Sequence, residues 1–302
     1  MTKVTVTVPA VCLNLGPGID SLGLALALHN TVEMSLHPGP EVSISVRGEG
    51  AYPNTPDHPA LQAARALWGE RGPGVSVTCT GEIPPGVGLG DDVAWMVGGL
   101  VAANNLVESA HLLNRERLIE RASKLTGKPA AVVAALLGGL TVTSSAITSG
   151  DQLLYQRVAI PALRVVLVVP EIADYADKVP PTRPDRIDLA DAIFNIGRTA
   201  LVIDALRRGD LDTLCRAAQD RILEPQRQGL IPGYDQVVAS AKAAGAAAAT
   251  ICGDGPAVVA FASANHPAIE SAMRAAFRQA GIPARTWTLN VDTQGIAINF
   301  RQ

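Results

Sequence analysis

No CxxC pair occurs in this chain. Its four cysteines, Cys12, Cys79, Cys215 and Cys252, are scattered, which argues against a zinc site and against a disulfide framework. The five histidines, His29, His37, His58, His111 and His266, form no cluster with spaced carboxylates, so no metal site is predicted. Basic runs are missing and the net charge is −3, which leaves no electrostatic footprint for nucleic acid. No apolar run approaches the ~18 residues of a membrane-spanning helix. The stretch from Ala130 to Leu140 is apolar but interrupted by glycines, and reads as a buried element. The opening MTKVTVTVPA alternates like a strand and is not a signal peptide. A soluble cytoplasmic protein is expected, with no nucleic-acid or membrane partner. Repeats and low-complexity tracts are absent too.

What remains is a chain of 302 residues, 48% hydrophobic, long enough for two cored domains of about 150 residues each. Its character changes near Ser149-Gly150-Asp151, which divides it into 1–150 and 151–302. In the first part, strands are predicted from Lys3 to Val8, from Leu22 through Leu36, and at Glu41 to Gly48, Val75 to Glu82 and Leu140 to Ser144. Helices are predicted from Pro59 to Arg71, Val93 to Asn105, and Asn114 to Leu125, the last capped by Asn114. In the second part, Leu163 to Val169 reads as a buried strand, and helices follow at Ile187 to Arg208 and Asp210 to Asp220. Strands at Ala247 to Cys252, Ala257 to Ala262 and Ala284 to Val291 alternate with helices at Pro232 to Ala244 and Pro267 to Ala280. Asp174 to Arg186 is proline-rich and charged, a loop suited to cover a site. A strict βαβ period is lacking, so an α+β fold with two layered domains is predicted, not a Rossmann sheet.

The most informative stretch is Ile83-Pro84-Pro85-Gly86-Val87-Gly88-Leu89-Gly90-Asp91-Asp92-Val93-Ala94-Trp95. Gly86, Gly88 and Gly90 let the backbone turn tightly and bring its N–H groups close to a ligand. The helix beginning just downstream adds partial positive charge, an arrangement suited to phosphate. The two aspartates that follow fit as helix caps, but they repel a polyphosphate. Two further glycine-rich stretches lie far away, Pro9 to Gly23 and Ile251 to Pro256.

The order and spacing of these three stretches resemble the GHMP kinase family, most closely its homoserine kinases. The first motif reads PAVCLNLGPGIDSLGLAL, the second PPGVGLGDDVAW, and the third Cys252-Gly253-Asp254-Gly255-Pro256-Ala257. Ala135-Leu136-Leu137-Gly138-Gly139, Glu224-Pro225-Gln226-Arg227 and Leu230-Ile231-Pro232-Gly233 extend the similarity over nearly the whole chain. The resemblance implies a βαβ-containing N-terminal domain with a phosphate loop, a ferredoxin-like C-terminal domain, a site in the cleft between them, and a homodimer. It implies Mg-ATP as co-substrate, with phosphate on the Gly86, Gly88, Gly90 loop and on Gly253, Asp254 and Gly255. Asn14, Asp20 and Arg227 match positions that hold an amino-acid substrate. The bland alternatives are turn chemistry for Asn14 and Asp20, and a surface ion pair with Glu224 for Arg227. A second substrate arginine falls near Asp177, with Lys178 beside it.

Other positions depart from the family pattern. The two loop serines are Asp91 and Asp92, the small third-motif residue is Asp254, and the family's His-Pro-Asp-Asn segment aligns with Lys128-Pro129-Ala130-Ala131. The Mg²⁺ glutamate aligns with Lys124; Glu120, one turn earlier, is an alternative. Lys124 or Lys128 paired with Asp91 or Asp92 would replace metal and nucleotide by an internal ion pair. Unit charges about 4 Å apart interact by ~1 kcal/mol in water and ~4 kcal/mol at an effective dielectric of 20. Unneutralised aspartates would therefore weaken triphosphate binding by roughly a hundred-fold. Cys12 and Cys252 replace motif serines in one cleft, so their thiols are expected near each other. They are either nucleophile or proton-transfer groups, or small buried fillers. Three functions stay open: a homoserine-kinase-like binder of a small amino-acid-like ligand with phosphoryl transfer lost or altered; an active ATP-dependent homoserine kinase of threonine biosynthesis; and a cofactor-independent isomerase, racemase or lyase using these Asp, Lys and Cys groups.

Overall fold

The structure, a computed structural model of the chain, describes residues 3–49, 52, 54–69, 72–106, 112–144, 152–180 and 183–301. His111 and the division at Ser149–Asp151 lie outside the described residues. Strand β2 (Gly18–His37) is the spine of the first sheet. It pairs with β1 (Lys3–Asn14) along most of its length, with β4 (Gly74–Gly81) through Asn30 to His37, and with β5 (Leu140–Ser144) through Leu22 to Leu24. The β1–β2 register shifts between Pro9 and Ala10, where proline supplies no N–H to the ladder. Strand β3 (Val42–Gly48) runs parallel to β4, joined by helix α1 (Pro59–Trp68); this is the expected βαβ unit. Helices α2 (Asp91–Asn104) and α4 (Pro129–Leu137) pack on β1 and β2 and are apolar nearly all round, as two-sided burial requires. Helix α3 (Arg115–Thr126) lies outside them, capped by Asn114, whose side chain accepts from the Arg117 N–H.

The second sheet has strand order β10 (Ala284–Asn290), β7 (Arg164–Pro170), β9 (Val258–Ala262), β8 (Ala248–Ile251), all antiparallel, with α9 (Tyr234–Ala243) and α10 (His266–Gln279) against one face. This is the ferredoxin-like arrangement expected. Strand β7 reads as an unbroken apolar run because both its faces are buried. Val166 and Val168 face the α9–α10 core, whereas Val165, Leu167 and Val169 join the main core together with Val202, Ala205 and Leu206 of α6 (Leu189–Arg208) and Leu214 of α7 (Leu211–Ala217).

Four elements are not predicted from the sequence, β6 (Leu154–Val158), α5 (Tyr175–Lys178), α8 (Glu224–Gln228) and β11 (Ala297–Arg301), and α4 is anticipated only as a buried apolar element, not as a helix; β6 and β11 are the two that extend the first sheet. Both lie beyond residue 150. Strand β6 forms a hairpin with β5, and β11 pairs antiparallel with β1 at the sheet edge. The proline-rich Asp174 to Arg186 segment contains the short helix α5 (Tyr175–Lys178).

The three glycine-rich stretches meet where the sheets approach. Gly88 has φ +85°, and a Cβ there would lie 2.1 Å from the Cys252 carbonyl oxygen; Gly86 has φ +68° with nothing within 4 Å of that position. Alanine at Gly86 therefore meets only the left-handed backbone penalty of roughly 1–2 kcal/mol, whereas at Gly88 two backbones must separate. Urea unfolding of Gly88→Ala is expected to show a loss several kcal/mol larger than Gly86→Ala, or no folded protein. Equal losses would contradict this packing.

Candidate functional site

Backbone hydrogen bonds hold the three segments together before any side chain contributes. The Val11 N–H donates to Leu89 O at 3.0 Å, Gly253 N–H to Leu13 O at 3.1 Å, and Ala257 N–H to Val87 O at 3.1 Å. Asn14 closes the arrangement: its Nδ2 donates to Gly253 O at 3.1 Å, and its Oδ1 accepts the Asp20 N–H at 3.0 Å. Asn14 and Asp20 both have positive φ, which Asn and Asp tolerate better than most residues. Turn chemistry at Asn14 is therefore present; the Asp20 carboxylate remains directed elsewhere.

Asp91 is buried at the start of α2. Its Oδ1 accepts the Gly86 N–H at 3.0 Å, and its Oδ2 accepts the Tyr52 hydroxyl at 2.8 Å. A carboxylate thus sits inside the glycine loop on one of the loop's own donors. Burial raises the Asp91 pKa, Gly86 and Tyr52 counter it, and neighbouring Asp92 adds to the rise. Tyr52 stands edge-on to Trp95 and His58, with ring centroids 6.4 and 5.4 Å away. Trp95 is buried and fills the space behind the loop. Burial lowers His58 to about 4, so it is neutral at physiological pH.

Asp92 points outward and pairs with Lys128 at 2.7 Å. Both are substantially exposed, so this pair contributes ~0–1 kcal/mol to stability. Of the pairings anticipated between Asp91 or Asp92 and Lys124 or Lys128, this is the one formed. Lys124 is exposed on α3 and makes no ion pair among the described residues. Lys178 is also exposed and donates to Ala173 O at 3.0 Å, outside the charged cluster.

That cluster centres on Arg183, a residue not singled out from the sequence. Its Nε and Nη2 form a fork onto Asp20 at 2.9 and 2.8 Å, and its Nη1 reaches Asp254 Oδ1 at 2.5 Å. Arg227, 1% exposed, donates from Nε and Nη2 to the same Asp254 oxygen at 3.3 and 3.1 Å. Arg227 therefore does not make the surface pair with Glu224. Burial alone would raise the Asp254 pKa; Arg183 and Arg227 outweigh it and hold the carboxyl below its ordinary value. Tyr175 of α5 donates to Asp254 O at 2.7 Å, tying the 174–186 segment to the third glycine stretch. The signal for Arg183 was its place in that charged, proline-rich segment suited to cover a site.

The cysteines require a correction. Cys12 and Cys252 are joined in a disulfide, with Cα atoms 4.8 Å apart and 240 residues between them in sequence. Their proximity was expected; the bond was not, and it leaves neither a free thiol for nucleophilic or proton-transfer chemistry. Cys79 is a buried thiol and Cys215 an exposed one. Glu224 turns to Tyr234 and to Thr250 Oγ1, at 3.1 Å from the latter, and burial raises its pKa to about 7. Among the described residues no group of three or more His, Cys, Asp and Glu could hold a metal ion, and no helix is long and apolar enough to cross a membrane.

Two domain models of one family match parts of the chain. Residues 58–139 match the GHMP kinases N terminal domain, and residues 202–279 match GHMP kinases C terminal. A homoserine kinase of Moorella thermoacetica is 37% identical over 281 residues, covering 92% of this chain and 93% of that protein. The chain belongs to the GHMP kinase family. A Desulfitobacterium hafniense homoserine kinase is 32% identical over 300 residues, 98% of this chain and 99% of its own. The crystal structure of homoserine kinase from Cytophaga hutchinsonii superposes with a TM-score of 0.86 at 26% identity, covering 98% of this chain and 97% of that one. This GHMP kinase chain is thus homoserine-kinase-like in sequence and fold.

Two measurements check the site. Labelling in denaturant without reductant is expected to modify two thiols, Cys79 and Cys215, and after reduction all four; four before reduction would remove the disulfide. For Glu224 the folded pKa of about 7 lies above the ~4.3 of an unfolded glutamate. The folded state then holds more proton, so its contribution falls as pH rises from about 4 through 7. Glu224→Gln is expected to flatten that decline in denaturant midpoints between pH 5 and 8. An unchanged slope would contradict the shift.

Proposed function

We propose that this GHMP kinase binds a small amino-acid-like ligand in the cleft between its sheets, and that ordinary Mg-ATP phosphoryl transfer is lost or altered. The observation that carries the second part is Asp91: its carboxylate accepts the Gly86 N–H and the Tyr52 hydroxyl, inside the loop whose amides would otherwise face phosphate. A triphosphate entering there meets two aspartates, one of them buried, and a loop donor already engaged. The paired Lys128 offsets only the outer charge. The residues present therefore do not fit a Mg-triphosphate in the ordinary way, and no transfer step is assigned to them.

The first part rests on Asn14, Asp20, Arg183 and Arg227, which meet in one hydrogen-bonded cluster carrying both charge signs. A guanidinium fork suits a carboxylate, and an aspartate suits an ammonium. Arg183, rather than Lys178, is the second cation we assign to ligand binding, because it shares Asp254 with Arg227. An active homoserine kinase is the second reading, favoured by the 37% identity to a homoserine kinase over 92% of the chain. One route to it is Asp91 or Asp92 serving as a metal ligand. A homodimer belongs to the same proposal, supported by the exposed apolar stripe Leu189, Ile193 and Ile196 along α6.

Thermal unfolding tests these readings together. Mg-ATP is expected to leave the melting temperature unchanged, whereas L-homoserine raises it. Stabilisation by Mg-ATP would overturn the exclusion of nucleotide, and formation of phosphohomoserine from ATP and L-homoserine would establish the active kinase instead.

A further inference from the structure

Two guanidinium groups converge on a single carboxylate oxygen in the cleft. Asp254 Oδ1 accepts from Arg183 Nη1 and from both Nε and Nη2 of Arg227. Arg227 is 1% exposed, and its remaining Nη1 is buried without a partner. Asp254 is the exposed member of that pair, with 44% of its side chain accessible. A buried guanidinium with a spare donor, met from the solvent side by a carboxylate, is an anion site whose occupant is a side chain of the protein itself.

We propose that Asp254 sets the specificity and affinity of the cleft by acting as an internal carboxylate that a ligand carboxylate must displace from Arg183 and Arg227. The identity of the ligand rests on the amino-acid reading above; the exchange itself does not. Two carboxylates crowding the same oxygen position repel each other, so ligand and Asp254 compete. The apparent affinity for a carboxylate ligand is then reduced by the fraction of molecules in which Asp254 has swung away. Asp20 retains Arg183 through its own two-point fork at 2.9 and 2.8 Å, so that guanidinium stays in place when Asp254 leaves. A ligand without a carboxylate has no such competitor.

Two variants test this on the full chain. Asp254→Ala leaves the buried Arg227 without its carboxylate, and the expected result is a lowered melting temperature that added acetate restores. Acetate is expected to raise the wild-type value far less, because its site is filled. An equal acetate response in both proteins would overturn the proposal. Asp254→Asn keeps an oxygen on the arginines while removing the negative charge, which guards against simple failure to fold. By titration calorimetry, L-homoserine is expected to bind Asp254→Asn about tenfold or more tighter than wild type. The amino alcohol in which CH₂OH replaces the carboxylate is expected to gain little. Equal gains for both compounds would also overturn the proposal. If acetate restores Asp254→Ala but neither compound binds any of the proteins, the exchange stands and the amino-acid reading falls.

Discussion

Gly88 lies against the carbonyl of Cys252, so close that any β-carbon would stand 2.1 Å from its oxygen. This backbone-to-backbone approach fixes where the second glycine-rich segment meets the third. The first is tied to both, by Val11 N–H to Leu89 O and by Gly253 N–H to Leu13 O. Each segment ends or joins regular elements: β1 and β2, α2, and the β8–β9 pair. The two sheets are therefore registered against each other through their loops. The cleft charges inherit their positions from that registration. The Cys12–Cys252 disulfide spans the same junction, closing a loop of 240 residues. By the chain-entropy argument a loop that long removes about 5.5 kcal/mol of denatured-state freedom. The cross-link thus secures geometry that the hydrogen bonds already define.

Each carboxylate at the site has an internal hydrogen-bond partner, and for Asp91 that partner is neutral. Asp91 takes a loop amide and a phenol, Asp92 takes Lys128, and Asp20 and Asp254 divide two arginines between them. These groups differ in weight. The Asp92–Lys128 pair is exposed and contributes little. The Asp254–Arg227 pair includes a fully buried guanidinium, and breaking such a pair is costly because the remaining charge has no solvent. On the proposed reading, ligand binding at the arginines is an exchange of partners, whereas a phosphate at the glycine loop would have to displace or accommodate a buried carboxylate.

Much of the architecture was legible because burial imposes period. The alternation in β1, the two-sided apolar run of β7 and the apolar helix α2 follow directly from which faces are covered; α4 was legible only as a buried element, because an unbroken apolar run has no period to separate helix from strand. β6 and β11 were not legible, being short pairings at the ends of the first sheet that depend on a distant partner strand more than on their own pattern. The site divided in the same way. Asn14, Asp20, Arg227 and Asp254 lie in spaced motifs and meet in one hydrogen-bonded cluster. Arg183 and Tyr52 come from irregular segments, where no periodicity indicates direction. Neither did spacing identify the Cys12–Cys252 bond, since tertiary contact alone brings those positions together. Lys124, the position that aligns with the Mg²⁺ glutamate, is exposed on α3 and makes no ion pair among the described residues.

The central claim is that Asp91 and its neighbour Asp92 keep a triphosphate out of a loop otherwise shaped to hold one. Calorimetric titration of Mg-ATP into wild type and into an Asp91→Ser, Asp92→Ser double variant tests it most directly. The account predicts no measurable binding to wild type and measurable binding to the variant, a gain of roughly a hundred-fold or more from removing the two charges. Tight binding to the wild-type protein, or loss of binding on substitution, would contradict it.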